Sequence, residues 1–147
     1  MDAGRVEGAA LAALLPQKGA MCLLDAVEHV DESRIVCISA RHRDAANPLR
    51  EDGRLSPLAG LEFAAQAMAA HGALLGGTGP LSGWLARIRD CVVSCERMDT
   101  LPAPLRITAE RLAGGERALS YRFDIAADGV EVLRGSALIA LRDPGEP

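Results

Sequence analysis

The residues best suited to chemistry lie in one stretch, Ser56 to Leu75, where the only strongly polar side chains after Leu58 are Glu62, Gln66 and His71. A carboxylate in apolar surroundings is costly unless it is used or paired, which makes Glu62 a candidate general acid or base. On a helix, partial desolvation would favour its exchanging protons near neutrality, while the positive helix N-terminus would favour the anion. The structural alternative is a glutamate bonded to loop backbone or paired with Arg54 or Arg87. Gln66, four residues on, would be rotated by about 40° and raised by about 6 Å, and so shares Glu62's face. It could orient Glu62, bond a substrate arm or serve as a packing amide. Gly60 sits in the first helical turn, where N–H groups lack intrahelical partners and a missing side chain admits a carbonyl. Gly60 is therefore either an oxyanion site or a point of close packing.

The other reactive side chains carry less. His71 is nine residues past Glu62, about half a turn round the helix and roughly 13 Å along it, so it cannot pair with Glu62 of its own chain. It reads as a core histidine or as a residue favoured by the helix C-terminus. His42, at a strand end or in a loop, is better placed to reach a site, and His29 belongs to the first strand. Cys91 and Cys95 fall on one strand face with no histidine beside them, as buried apolar residues do more often than metal ligands.

The elements that must position these groups follow from periodicity and turn signals. Ser56 suits an N-cap and Pro57 a first helical position, predicting a helix over 57–75 that is apolar nearly all round and hence buried. A short helix is expected over 5–15. Strands are expected over 21–30 and 34–41, the latter carrying Ile35, Cys37 and Ser39 on one face. Residues 42–55 carry Asn47-Pro48 and Asp52-Gly53 turn signals and read as a loop. Gly76 to Pro80 ends the helix. Four strands follow, the first over Gly83 to Glu96 and the others from Leu105, Leu119 and Val130, with Asp128-Gly129 as a hairpin turn before the last. One buried helix among antiparallel strands gives an α+β fold, a curved antiparallel sheet wrapped around that helix.

The chain has 147 residues, enough for a single domain over 1–147 that buries about two thirds of its unfolded surface. A net charge of −4 with one Trp, one Tyr and two Phe gives neither a basic footprint nor stacking residues, so nucleic-acid binding is not expected. The buried helix nears membrane-span length, but Glu62, its many Ala and Gly and its turn-rich flanks argue against a membrane span. No secretory signal pattern opens the sequence, and the four cysteines lack C-x-x-C spacing, so a cytoplasmic protein with reduced thiols is expected.

The element order, Leu14-Leu15-Pro16 with Met21-Cys22-Leu23-Leu24-Asp25, and Gly60-Leu61-Glu62-Phe63-Ala64-Ala65-Gln66-Ala67 resemble the hot-dog fold 3-hydroxyacyl-ACP dehydratases over most of the chain. Asn47-Pro48-Leu49, Asp52-Gly53-Arg54-Leu55, Glu62-x-x-x-Gln66-Ala67-Met68 and Gly83-Trp84-Leu85-Ala86 are most similar to the dehydratase-like proteins of aryl polyene type gene clusters. The resemblance implies elimination of water from a 3-hydroxyacyl thioester, with Glu62 catalytic and Gly60, Gln66, Asn47 and Arg54 binding substrate. It implies no cofactor of the protein's own, since the acyl group is carried on the phosphopantetheine of an acyl carrier protein or on CoA. Arg50, Arg54, Arg87 and Arg89 could meet that phosphate or an acidic carrier. Asn47, in the loop that walls the family's tunnel, could act only as a hydrogen-bond donor, since an amide does not titrate.

The departures are as informative. The fatty-acid-synthesis relatives carry Leu-Pro-His near the start and Gly-His-Phe-Pro before the helix; here Gln17 follows Leu15-Pro16, and the loop position falls near Asp52-Gly53 without a histidine. The resemblance implies a dimer with its tunnel at the interface, so the chain is expected in a homodimer or in a heterodimer whose other hot-dog subunit brings the missing histidine. The alternatives are a hot-dog acyl thioesterase and a non-catalytic acyl-binding or partner subunit.

Overall fold

The computed structural model describes residues 5–76 and 83–141. Its organising element is helix α2, Gly60–Gly76, entered through a 3-10 turn over Pro57–Ala59. Ser56 Oγ accepts the Leu58 N–H at 3.2 Å, so the expected cap closes the turn that leads into the helix. Phe63, Ala64, Ala67, Met68 and Ala70 are buried, whereas Leu61, Glu62, Ala65 and Ala69 stay half-exposed. These last four lie on adjoining faces at helical spacing, so the apolar surface that the sequence spreads all round the helix is left partly open along one stripe.

The strands form a single antiparallel sheet in the order β1-β2-β3-β5-β6-β7-β4. They are β1 Val6–Glu7, β2 Ala26–Val30, β3 Arg34–Ser39, β4 Gly83–Val93, β5 Leu105–Gly114, β6 Ala118–Ala127 and β7 Val130–Leu141. Alternation directs Ile107 and Ala109 of β5, and Tyr121, Phe123 and Ile125 of β6, into the core with α2. Each large side chain so buried contributes roughly 1.5–3 kcal/mol. Asp128 and Gly129 both take positive φ (50° and 78°), the type I′ turn that sets Ala127 opposite Val130. Strand β4 closes one side of the sheet and pairs only with β7, leaving its other edge unpaired among the described residues.

Three expectations are corrected. The helix over 5–15 shrinks to α1, Gly8–Ala12, because Val6 and Glu7 pair with Val27 and Ala26; a two-residue strand is too short to show a period. The strand expected from Met21 begins only at Ala26. Gln66 of α2 takes the backbone of this segment instead, accepting the Leu23 N–H at 2.9 Å and donating to Met21 O at 2.7 Å. The strand expected from Gly83 to Glu96 ends at Val93, and Cys91 on it is exposed rather than buried. The helix-ending loop from Gly76 to Pro80 falls mostly outside the described residues, with Gly76 the last residue of α2.

His71 is a core histidine: its Nε2 donates to Asp31 O at 2.8 Å, and Nδ1 lies 2.7 Å from the Tyr121 hydroxyl, which accepts from Arg111 Nη2 at 2.8 Å. Burial pushes its pKa below the ordinary value. The loop before α2 is tied down at Leu55, whose N–H donates to Asp99 Oδ1 at 2.9 Å. Arg97 beside Asp99 holds that carboxyl well below the usual carboxylate range.

Candidate active site

Leu11 and Leu15 are buried in the core, and this anchors the chain so that Pro16 and Gln17 pass over the first turns of α2. Gln17 Nε2 then donates to Glu62 Oε1 at 3.1 Å, and Gln66 Nε2 donates to the same oxygen at 3.3 Å. The other carboxylate oxygen, Oε2, makes no hydrogen bond among the described residues. Glu62 is therefore held through one oxygen by two neutral amides and pairs with neither Arg54 nor Arg87.

The carboxylate lies in the wall of a cavity of about 250 Å³, which Pro16 and Gln17 bound on one side and Ala65, Met68 and Ala69 of α2 on another. Gly83, Trp84 and Leu85 of the edge strand β4 also line it, with Leu119 and Ile139. Trp84 is exposed. The arrangement is a mostly apolar hollow with a carboxylate and an amide on one side, suited to an apolar chain whose polar end meets an acid or base.

Of the expected site residues, the fold brings together Glu62 and Gln66. Gly60 is adjacent on the helix but is used for packing: a Cβ there would lie 2.9 Å from both Ile125 Cδ1 and Leu133 Cδ2, and its N–H is donated back to Pro57 O. Asn47 braces its own loop, donating to Arg41 O and accepting the Leu49 N–H, each at 2.9 Å. Arg54 lines a separate hollow with Leu58, Ala59 and Arg97. Neither Asn47 nor Arg54 lines the Glu62 cavity of its own chain. His42 is buried with Nε2 3.0 Å from Leu101 O, and it too lies outside that cavity.

The residue missed as a site member is Gln17, noted in the sequence only as the place where relatives read histidine. The signal was present in Leu15-Pro16-Gln17, but a contact spanning 45 positions has no local signature. A larger hollow of about 590 Å³ lies on the outer face of the sheet, where Arg122 pairs with Glu110 at 2.6 Å; none of the expected site residues lines it. Among the described residues no group of His, Cys, Asp and Glu is placed to hold a metal ion.

A long helix cradled in an antiparallel sheet, with a helix carboxylate at a cavity beside the edge strand, is the arrangement of a hot-dog protein. The sequence model of the ApeP-like family, described as ApeP dehydratase, matches residues 9–144, and the chain belongs to that family. Among solved structures, the dehydratase heterocomplex ApeI:P from Xenorhabdus doucetiae superposes with a TM-score of 0.80 at 22% identity, covering 92% of this chain and 93% of that one. A hypothetical thioesterase protein with coenzyme A from Streptococcus pneumoniae TIGR4 superposes with a TM-score of 0.59 at 15% identity, covering 79% and 84%. No curated protein matches the chain in sequence.

Proposed function

We propose that this protein is a dehydratase subunit that eliminates water from a 3-hydroxyacyl thioester held on an acyl carrier protein or CoA, with Glu62 as its acid or base. The observation that carries this reading is the Glu62 carboxylate, tethered through one oxygen at an otherwise largely apolar cavity. Elimination requires a base for the α-proton, an acid for the departing hydroxyl and donors for the developing enolate oxygen. Glu62 supplies one of the first two; among the described residues no second titrating group lines the cavity. The site is completed by a second hot-dog subunit seated along β4. That strand supports the reading by its unpaired edge and by the exposed Trp84, Val92 and Val93. The ApeI:P heterocomplex is a precedent for two unlike dehydratase subunits together.

The test is hydration of a crotonyl carrier substrate, or its reverse, by the purified chain alone and after adding a second hot-dog subunit. Little activity alone and strong activity together support the reading; robust activity alone overturns its two-subunit part. A thioesterase reading has one observation in its favour, the likeness in fold to the coenzyme A-bound thioesterase structure. A carboxylate can also activate water for thioester cleavage. Free thiol released equally from 3-hydroxylated and saturated acyl thioesters would favour it.

A further inference from the structure

Two glutamines reach the same oxygen of Glu62, and their bonding differs. Gln66 is satisfied at both ends: Oε1 takes the Leu23 N–H, and Nε2 gives to Met21 O as well as to Glu62. Its removal would unravel backbone contacts, so its presence is accounted for by the fold. Among the described residues Gln17 has one side-chain partner, Glu62, and its own Oε1 is buried with no donor. A buried acceptor left unpaired is destabilising, and a glutamine kept only for stability would be replaced by an apolar side chain of similar shape without loss. Two neutral donors on Oε1 leave Oε2 as the oxygen free to exchange a proton, and they fix the carboxylate's plane from both its helix and its loop side.

From this contrast we infer that Gln17 is a positioning residue, which orients the Glu62 carboxylate so that Oε2 meets the reacting atoms. Gln17 transfers no proton itself, since an amide does not titrate. A side chain at this position needs an N–H donor of about this reach, which a histidine ring also offers. The inference rests on the dehydratase reading for its kinetic consequence and on the hydrogen bond alone for its spectroscopic one.

The experiment compares wild type, Gln17→Met and Gln17→His in the dehydration assay, with the second subunit present where activity needs it. The inference requires Gln17→Met to lower kcat by about 10-fold with little change in KM. It also requires an unchanged or higher melting temperature, since an orphaned acceptor is removed, and partial recovery of kcat in Gln17→His. An unchanged kcat overturns it, as does a loss of kcat accompanied by a matching loss of folded protein. A second readout separates this inference from the reaction itself: in protein labelled with carbon-13 at glutamate carboxyls, the Glu62 signal, identified by its absence in Glu62→Gln, should move in Gln17→Met. Movement in a protein without dehydratase activity would sustain the positioning role while refuting the proposed reaction. An unmoved signal refutes the positioning role whatever the activity.

Discussion

Replacing Gln66 with leucine removes an amide that serves three partners while keeping its volume nearly constant. The Leu23 N–H and Met21 C=O, bonded to Gln66 at 2.9 and 2.7 Å, would lose their partners, and Glu62 would lose one of its two donors. A buried backbone group left unpaired costs about 1–3 kcal/mol, and the Leu23 group is fully buried while the Met21 group is partly so. The expected destabilisation is thus about 2–4 kcal/mol, large against a total of about 5–15 kcal/mol for a domain. At about 2–4 °C per kcal/mol for a chain of this size, the melting temperature should fall by about 5–15 °C. Urea melts of Gln66→Leu and Gln17→Met side by side provide the assay, because only the first should shift its midpoint downward. A loss below about 1 kcal/mol in Gln66→Leu would refute the reasoning that this side chain, rather than a strand partner, holds residues 21–23.

Two further outcomes follow from the packing. Gly60→Ala forces Ile125 and Leu133 to move from a Cβ placed 2.9 Å from each; overpacking of about 1–3 kcal/mol is offset by up to about 1 kcal/mol of helix propensity. Chemical denaturation should show a net loss of about 1 kcal/mol, with activity of the folded protein retained, since the Gly60 N–H already serves the turn. A gain in stability, or a fall in activity beyond 100-fold without unfolding, would contradict that packing role. For His71, burial lowers the folded-state pKa below the ordinary value of 6.5, so below that pH the unfolded chain takes up a proton that the folded chain resists. Stability should therefore be full above about 6.5 and fall as pH drops toward the lower folded value. Melting temperatures between pH 7.5 and 5.5 should show this fall, reduced in His71→Gln, and equal slopes in the two proteins would refute it.

How far the sequence shows all this differs by element. Helix α2 was legible because Ser56, Pro57 and an apolar run each act within a few residues, and the hairpin at Asp128-Gly129 because positive φ is a local demand. Strand β1 was not, since two residues show no period and its pairing with Val27 is tertiary. The strand expected from Met21 was lost to a side chain 45 positions away. At the site, Glu62 stood out because a charge among apolar neighbours is conspicuous, and Gln66 because four residues bring it to the same face. Gln17 could be marked only as a departure from a family pattern; its bond to Glu62 depends on how Leu11 and Leu15 pack. Asn47 matched a family motif yet serves its own loop, an Asx-type role that the same Asn-Pro spacing also produces.

The central claim is that Glu62 handles a proton in a site that a second subunit completes. Its most direct test is the rate of water elimination from a 3-hydroxyacyl carrier substrate by wild type and Glu62→Gln, each assembled with a second hot-dog subunit and checked for equal assembly. The account predicts activity for the assembled wild type, little for the chain alone, and a loss of at least about 100-fold in assembled Glu62→Gln. Assembled Glu62→Gln that turns over at the wild-type rate would contradict it.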